Sequence, residues 1–190
     1  MVGHIAFVAE DGSPAVLPSA VVRLGDSIVI HGSTGSHWMR RVAEGVPTAV
    51  SITAIDGIVV ARSAFESSLI YRSAVLFGSF RIVEGDEKVA ALDALTDRLI
   101  PGRVGEVRRP TKRELAATLM LSMQIDEWSL RVSDYWSEDP ASDIAGDAWA
   151  GQLRYGERPT AVLGIPDLRT GIPVPASVVA LQVPPQASDL

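Results

Sequence analysis

Short apolar segments separated by turn-forming residues run through the first half of this chain, and they constrain its fold more than any other feature. Apolar runs within residues 5–24 are interrupted by the Glu-Asp-Gly-Ser-Pro cluster at 10–14. Gly25-Asp26 then leads into a β-branched run at 27–31. Such clusters join antiparallel strands, and the runs are too short for helices. The sequence therefore predicts a three-stranded meander at the start of the chain.

Further strand candidates follow. Residues 47–55 and 58–61 flank Asp56-Gly57, which we interpret as a hairpin turn. Residues 69–83 form a long extended stretch, and residues 122–132 form the last predicted strand. Six or seven short antiparallel strands with few helices favour a closed β-barrel in a mainly β (α+β) fold over a layered α/β sheet.

Two or three peripheral helices are predicted. Residues 36–44 form a short amphipathic segment with Ser36 as N-cap, and residues 85–100 carry apolar side chains at helical spacing. Thr111-Lys112-Arg113-Glu114 is a capping-box pattern, which predicts a helix through residues 115–120. Residues 137–190 show little periodicity, so we expect them to wrap the surface of a single domain that spans 1–190.

The composition excludes several partners. With a net charge of −6 and an isoelectric point of about 5.0, the chain offers no basic field to nucleic acid. It has no cysteine, which excludes disulfides and thiolate metal sites and favours the cytoplasm. No uncharged apolar run reaches the roughly 20 residues of a membrane-spanning helix, so we expect no membrane partner. A mean hydropathy of +0.21 predicts apolar surface hidden in a homodimer interface.

The loop at residues 32–36 is the most informative polar segment. Its hydroxyl side chains precede a helix, and Arg40 and Arg41 follow, so the segment suits a phosphate. The alternative is a plain helix-entry loop. His31 and His37 flank the loop as candidate ligands, but the scattered histidines of this chain predict no metal site. The hydroxyl candidates are Ser33, Thr34 and Ser36.

A second polar cluster covers residues 62–68 and continues into Tyr71-Arg72-Ser73. Alternation along a strand places Tyr71 and Ser73 on one face and Arg72 on the other. Arginines that flank an aromatic side chain suit a phosphate or a flavin edge. The alternative is a solvated turn.

These segments, in this order, resemble the pyridoxamine 5′-phosphate oxidase-related family, in its flavin-nucleotide-binding and nitroimidazole-resistance-like branch. The resemblance covers nearly the whole chain. The segments that carry it are His4–Val8, Leu17–Ser19, His31–Ser36, Asp56–Phe65, Tyr71–Gly78, Leu99–Arg103, Pro110–Leu115, Trp149–Gly151 and Gly171–Pro175.

The resemblance implies a split β-barrel that forms a homodimer, with two flavin mononucleotides (FMN) in grooves between the subunits. It places one group of residues near the flavin phosphate, a second beside the ring and a third along the groove. These groups are Ser33, Thr34, Ser36 and Arg40; Pro18 and Ser19; and Arg62, Ser63, Tyr71, Arg72 and Ser73.

The sequence also departs from this branch. Residues 66–70 read Glu-Ser-Ser-Leu-Ile where the branch commonly has a His-His pair followed by Ser-Met-Asn, and His37 stands where an arginine is usual. The missing histidines weaken the case for nitroimidazole reduction, and His37 is cationic only when protonated.

Three functional hypotheses follow. The leading one is an FMN-dependent oxidoreductase that acts on a small molecule, in which the flavin supplies the chemistry and the protein supplies binding and orientation. The second is a haem-binding split barrel with His31 or His37 as axial ligand. The third is a flavin-binding module without turnover. The sequence does not distinguish FMN from a deazaflavin.

Overall fold

The computed structural model describes residues 2–156 and 173–180. Its strands are β1 Val2–Val8, β2 Pro14–Ala20, β3 Val22–Leu24, β4 Ser27–Ser33, β5 Thr48–Val60, β6 Ser68–Gly78, β7 Arg81–Ile82, β8 Thr118–Gln124, β9 Glu127–Ser133 and β10 Gly151–Arg154. Its helices are α1 His37–Ala43, α2 Gly85–Leu99, α3 Lys112–Ala117, α4 Ala141–Ile144 and α5 Ala176–Ala180, and a 3₁₀ turn covers Arg103–Glu106.

The strands form two antiparallel sheets. The first sheet has the order β2-β1-β5-β6-β9, with β10 also paired to β5, and the second has the order β3-β4-β8-β7. The two sheets pack face to face, and α1 closes one side through Met39 and Val42. Ile5, Val50 and Leu76 of the first sheet pack with buried apolar residues of the second sheet in one core. This arrangement confirms the predicted split β-barrel.

A second, smaller core lies on the outer side of the second sheet. There α2 packs through Ala91 and Leu95 against Val29 of β4 and Met120 of β8. Successive side chains of a strand point to opposite faces. Because Ile28 and Ile30 point into the barrel, Val29 and His31 point out towards α2. Helix α2, which the apolar spacing of residues 85–100 predicted, therefore covers the strand that bears His31.

The first sheet extends beyond the barrel and ends on an exposed edge strand. Among the described strands, β9 pairs only with β6, and one face of it carries Trp128, Leu130 and Val132, which are 59–60% exposed. An edge strand with an exposed apolar row is a common site of chain association. No helix in the described part of the chain is long and apolar enough to cross a membrane.

The structure has more strands than the six or seven predicted. The predicted strand at 122–132 belongs to two strands, because β8 pairs with β4 in the second sheet whereas β9 pairs with β6 in the first. The predicted hairpin turn at Asp56-Gly57 is wrong. β5 continues through it with a β-bulge, since Ile55 and Gly57 both pair with β6.

The capping-box prediction is confirmed, but the length of its helix is not. The Thr111 hydroxyl accepts from the Glu114 backbone N–H at 3.2 Å, and the Glu114 carboxylate accepts from the Thr111 N–H at 2.7 Å. The helix ends at Ala117 rather than continuing to residue 120, because the following residues pair with β4. Of the predicted surface-wrapping segment 137–190, residues 157–172 and 181–190 lie outside the described residues.

Candidate functional site

The hydroxyl loop between β4 and α1 is held by its own backbone and by α3. Thr34 donates to the carbonyl oxygen of Ala117 from its backbone N–H at 3.0 Å and its hydroxyl at 3.3 Å. The Ser33 hydroxyl accepts from the Gly35 N–H at 3.1 Å. Ser36 occupies the predicted N-cap position, but its hydroxyl does not cap the helix. The Ser36 hydroxyl is therefore available to a ligand.

A shallow groove of about 340 Å³ opens beside this loop. Its lining consists of Thr34, Arg40, Ala43, Glu44, Ile82 and Leu119. Within the described residues, the neighbouring Arg41 forms an ion pair with Glu44 at 2.6 Å, whereas Arg40 forms none. The structure thus brings together Thr34 and Arg40, two of the residues predicted to contact the flavin phosphate.

A larger cavity of about 540 Å³ lies between the second sheet, α2 and the segment that follows α2. The residues that line it come from β4, β8, α2, α3 and the segment 104–110. They are His31, Leu92, Asp93, Thr96, Val104, Val107, Arg108, Arg109, Pro110, Glu114, Leu115 and Thr118. This volume lies within the range of small-molecule and cofactor sites.

His31 is a half-buried polar residue in the lining of this cavity. Among the described residues, its Nδ1 is the only buried side-chain nitrogen or oxygen without a hydrogen-bond partner. Burial lowers the pKa of His31 below its ordinary value of 6.5, because the charged imidazolium loses solvation. A neutral imidazole is the form that binds metals. An orphaned neutral histidine in a cavity therefore fits a metal-containing ligand.

Two ion pairs border the same cavity. Arg108 forms a bidentate pair with Glu114 at 2.6 and 2.9 Å, and the Arg109 Nη2 lies 2.7 Å from Asp93 Oδ2. The hydrogen bonds of Arg108 and Thr111 hold the pKa of Glu114 well below its usual range. These pairs connect the segment 104–110 to α2 and α3.

Three other predicted residues, Tyr71, Ser73 and Pro18, lie on the outer face of the first sheet. Tyr71 and Ser73 point away from the barrel core, since Leu76 points into it and side chains alternate along the strand. Tyr71 also lies under the guanidinium of Arg131, which is 5.9 Å from the ring centroid. Pro18 pairs with His4 at the far side of this sheet, and Ser19 is its neighbour on β2. The predicted groups at β4 and β6 thus face different outer sides of one barrel.

Both predicted groove arginines are paired within the chain. Arg72 forms a bidentate pair with Asp56 at 2.7 and 2.8 Å. Arg62 donates from Nη1 at 2.9 Å and from its backbone N–H at 3.0 Å to the carboxylate of Asp139. The Asp139 side chain is 1% exposed, so this pair anchors the residues after β9.

Two further predicted residues have local partners. The Ser63 hydroxyl accepts from the Glu66 N–H at 3.2 Å in the turn after β5. His37 is exposed and lies 4.0 Å from Glu10 in the hairpin between β1 and β2. It therefore lies apart from the His31 cavity. The assignment of these residues to a cofactor stays a prediction.

The sequence analysis missed most of the lining of the His31 cavity. Arg108, Arg109 and Asp93 were not identified, because they come from separate elements and belong to no spacing motif. The one available signal is local. An Arg-Arg-Pro triplet directly precedes the capping box, at a point where a loop must turn into α3.

The resemblance stated above is confirmed by comparison with known proteins. The sequence model of the family described as pyridoxamine 5′-phosphate oxidase matches residues 1–132. No curated protein matches the sequence.

The chain is similar to many solved structures, among them the following three. The FAD and heme binding protein from Mycobacterium smegmatis is 50% identical, with a TM-score of 0.91 over 95% of this chain and 89% of that one. The flavocytochrome Anf3 from Azotobacter vinelandii is 26% identical, with a TM-score of 0.84 over 96% of this chain and 85% of that one. A proposed 5-nitroimidazole antibiotic resistance protein from Bacteroides thetaiotaomicron shares the fold at 14% identity, with a TM-score of 0.56 over 68% of this chain and 75% of that one. The family match covers more than half of the sequence, and the chain belongs to the pyridoxamine 5′-phosphate oxidase family.

Proposed function

We propose that this protein is a homodimeric flavin-dependent oxidoreductase that also holds haem. The observation that carries the proposal is the placement of two ligand-sized spaces on the strand pair β4–β8, with Arg40 at one and the orphaned His31 at the other. The relatives named for both FAD and heme, and for a flavocytochrome, support it.

The flavin phosphate is assigned to the hydroxyl loop and Arg40. The Ser36 hydroxyl and the Arg40 guanidinium have no internal partner that competes with an anion, within the part of the chain described. Hydrogen bonds from a guanidinium to phosphate are charge-assisted and strong. FMN is the flavin expected from the family resemblance, while the 50% identical relative is named for FAD, so the identity of the bound flavin has to be measured. A bound flavin supplies hydride and electron transfer.

The surface of the first sheet supports the homodimer. The apolar row of β9, Trp128, Leu130 and Val132, remains exposed against the described part of the chain. In addition, the hydroxyl loop after β4 and the predicted residues Tyr71 and Ser73 on β6 face different sides of one barrel. One cofactor can contact both sets of residues only if a second chain contributes one of them. We therefore propose a two-fold interface that includes β9.

Haem is proposed as the second cofactor, with His31 as its protein ligand. The fit rests on the cavity of about 540 Å³, on the apolar side chains that line much of it, and on the neutral imidazole whose Nδ1 has no partner. Haem sites are built from such apolar pockets with a histidine ligand. A bound haem supplies one-electron and oxygen chemistry.

The flavin assignment is tested by identifying and titrating the flavin. The flavin released from purified protein is separated and its mass determined, which distinguishes FMN, FAD and a deazaflavin. The stripped protein is then titrated with that flavin. We expect Arg40→Gln to weaken binding about tenfold or more through the loss of charge-assisted bonds, and Arg23→Gln, on β3 outside the groove, to leave it unchanged. Binding of no flavin at all, or equal affinity in the two variants, would contradict the assignment.

A further inference from the structure

The mouth of the His31 cavity carries two arginines that the flavin assignment does not use. The side chains of Arg108 and Arg109 are 69% and 55% exposed. His31 is half-buried, and its Nδ1 is inaccessible to solvent. The cavity therefore has guanidinium groups on its solvent side and an imidazole in its interior.

Apolar side chains separate these two ends. Leu92 of α2, Val104 and Val107 of the following segment, and Leu115 of α3 line the space. A ligand that matches this arrangement has an apolar body, a centre that binds the imidazole, and anionic groups at one edge. A haem has these three parts.

The two arginines differ in how many donors remain available. Arg108 donates through both terminal nitrogens to Glu114, and through Nη1 also to the Arg109 carbonyl oxygen. The closest contact of Arg109 with Asp93 is made by Nη2, at 2.7 Å, and within the described residues its Nε and Nη1 donate no hydrogen bond. Asp93 thus occupies part of the Arg109 guanidinium without saturating it.

We propose that Arg109, with Arg108 beside it, binds the carboxylate groups of the haem in this cavity. This inference rests on the haem assignment made above. The planar guanidinium matches a carboxylate with two parallel hydrogen bonds, which a lysine does not reproduce. In this arrangement Asp93 competes with the ligand for the same side chain.

The test titrates the full chain, produced without added haem, with haemin and with haemin dimethyl ester, in which both carboxylates are blocked. The Soret band reports binding. We expect Arg109→Gln to weaken haemin binding about tenfold and the double variant with Arg108→Gln to weaken it further. Neither variant should differ from wild type in its affinity for the dimethyl ester. Arg113→Gln, on the exposed side of α3 and outside the cavity, is the matched control.

Asp93→Asn separates ligand binding from a merely structural ion pair. If Arg109 binds the haem carboxylate, this variant binds haemin at least as tightly as wild type, because the competitor is removed. If the ion pair only supports the segment 104–110, Asp93→Asn weakens binding as Arg109→Gln does, and the inference is overturned.

The inference and the haem assignment fail in different ways. Wild-type protein that gives no Soret change with haemin refutes both. Wild-type protein that binds haemin in a His31-dependent manner, with unchanged affinity in both arginine variants, refutes the inference alone. A loss of flavin affinity in the arginine variants, with haemin affinity intact, assigns these arginines to the flavin instead.

Discussion

Replacement of Leu130 by Glu in the apolar row of β9 is expected to dissociate the proposed homodimer. Leu130 is 59% exposed in the single chain, so about that fraction of its side chain is available for burial by a partner. Full burial of a leucine is worth about 1.5–3 kcal/mol, which gives roughly 1–2 kcal/mol per copy and about 2–4 kcal/mol for a two-fold interface. The dimer dissociation constant should therefore rise at least about 30-fold, before the cost of burying the new carboxylate.

Sedimentation equilibrium over a range of protein concentrations measures this change. Val16→Glu is the matched control, because Val16 is 61% exposed on β2, the opposite edge strand of the same sheet. We expect this variant to associate as wild type does. Wild-type association in Leu130→Glu, or equal dissociation in the two variants, refutes the placement of the interface at β9. Flavin content measured on the same samples should fall with the dimer.

Three further predictions concern single residues. Gly57→Ala should destabilise the fold by roughly 1–3 kcal/mol in thermal or denaturant unfolding, because the new Cβ would overlap the carbonyl oxygen of Leu153 on β10. The control Gly105→Ala should leave the stability unchanged, because its Cβ would meet nothing within 4 Å. In the cofactor-free protein, the lowered pKa of His31 makes stability fall as pH drops below 6.5, since the unfolded chain takes up a proton that the folded chain does not. His31→Gln should therefore lose less melting temperature than wild type between pH 7 and pH 5. An identical loss in the two proteins would count against the buried neutral imidazole. Thr111→Ala removes the cap of α3 and should cost about 1 kcal/mol, checked by denaturant unfolding.

Local patterns in the sequence predicted those elements whose cause is local. The capping box at Thr111 and the apolar spacing within 85–100 each specify a helix start or face, and the structure has both. The turn clusters at 10–14 and at Gly25-Asp26 likewise connect paired strands as predicted. In each case the residues that decide the structure are adjacent in the chain. The predicted three-stranded meander is wrong, because β1 and β2 belong to the first sheet whereas β3 and β4 belong to the second.

Predictions failed where pairing with a distant strand decides the structure. Asp56-Gly57 has the composition of a turn, but it lies within β5, whose residues on both sides pair with β6, and the extra residue is absorbed as a bulge. Leu119 and Met120 continue a helical pattern, yet they lie in β8 because they pair with Gly32 and His31 of β4. Tertiary pairing overrides local propensity at both places.

The candidate site was predictable only in part for the same reason. The hydroxyl loop and His31 are visible in the sequence because their residues are consecutive. The wall opposite His31 is assembled from α2, α3 and the segment between them, so Asp93 and Arg109 come together only in the folded chain. The pairing of Arg62 with a buried Asp139, 77 residues away, was equally invisible to spacing.

The absorbance spectrum of the purified protein tests the central claim most directly. It is recorded first as isolated, and again after stoichiometric addition of the flavin and of haemin. The account predicts oxidised-flavin bands together with a Soret band, and loss of the Soret band alone in His31→Gln. A protein that takes up neither cofactor, or a Soret band that persists unchanged in His31→Gln, would contradict it.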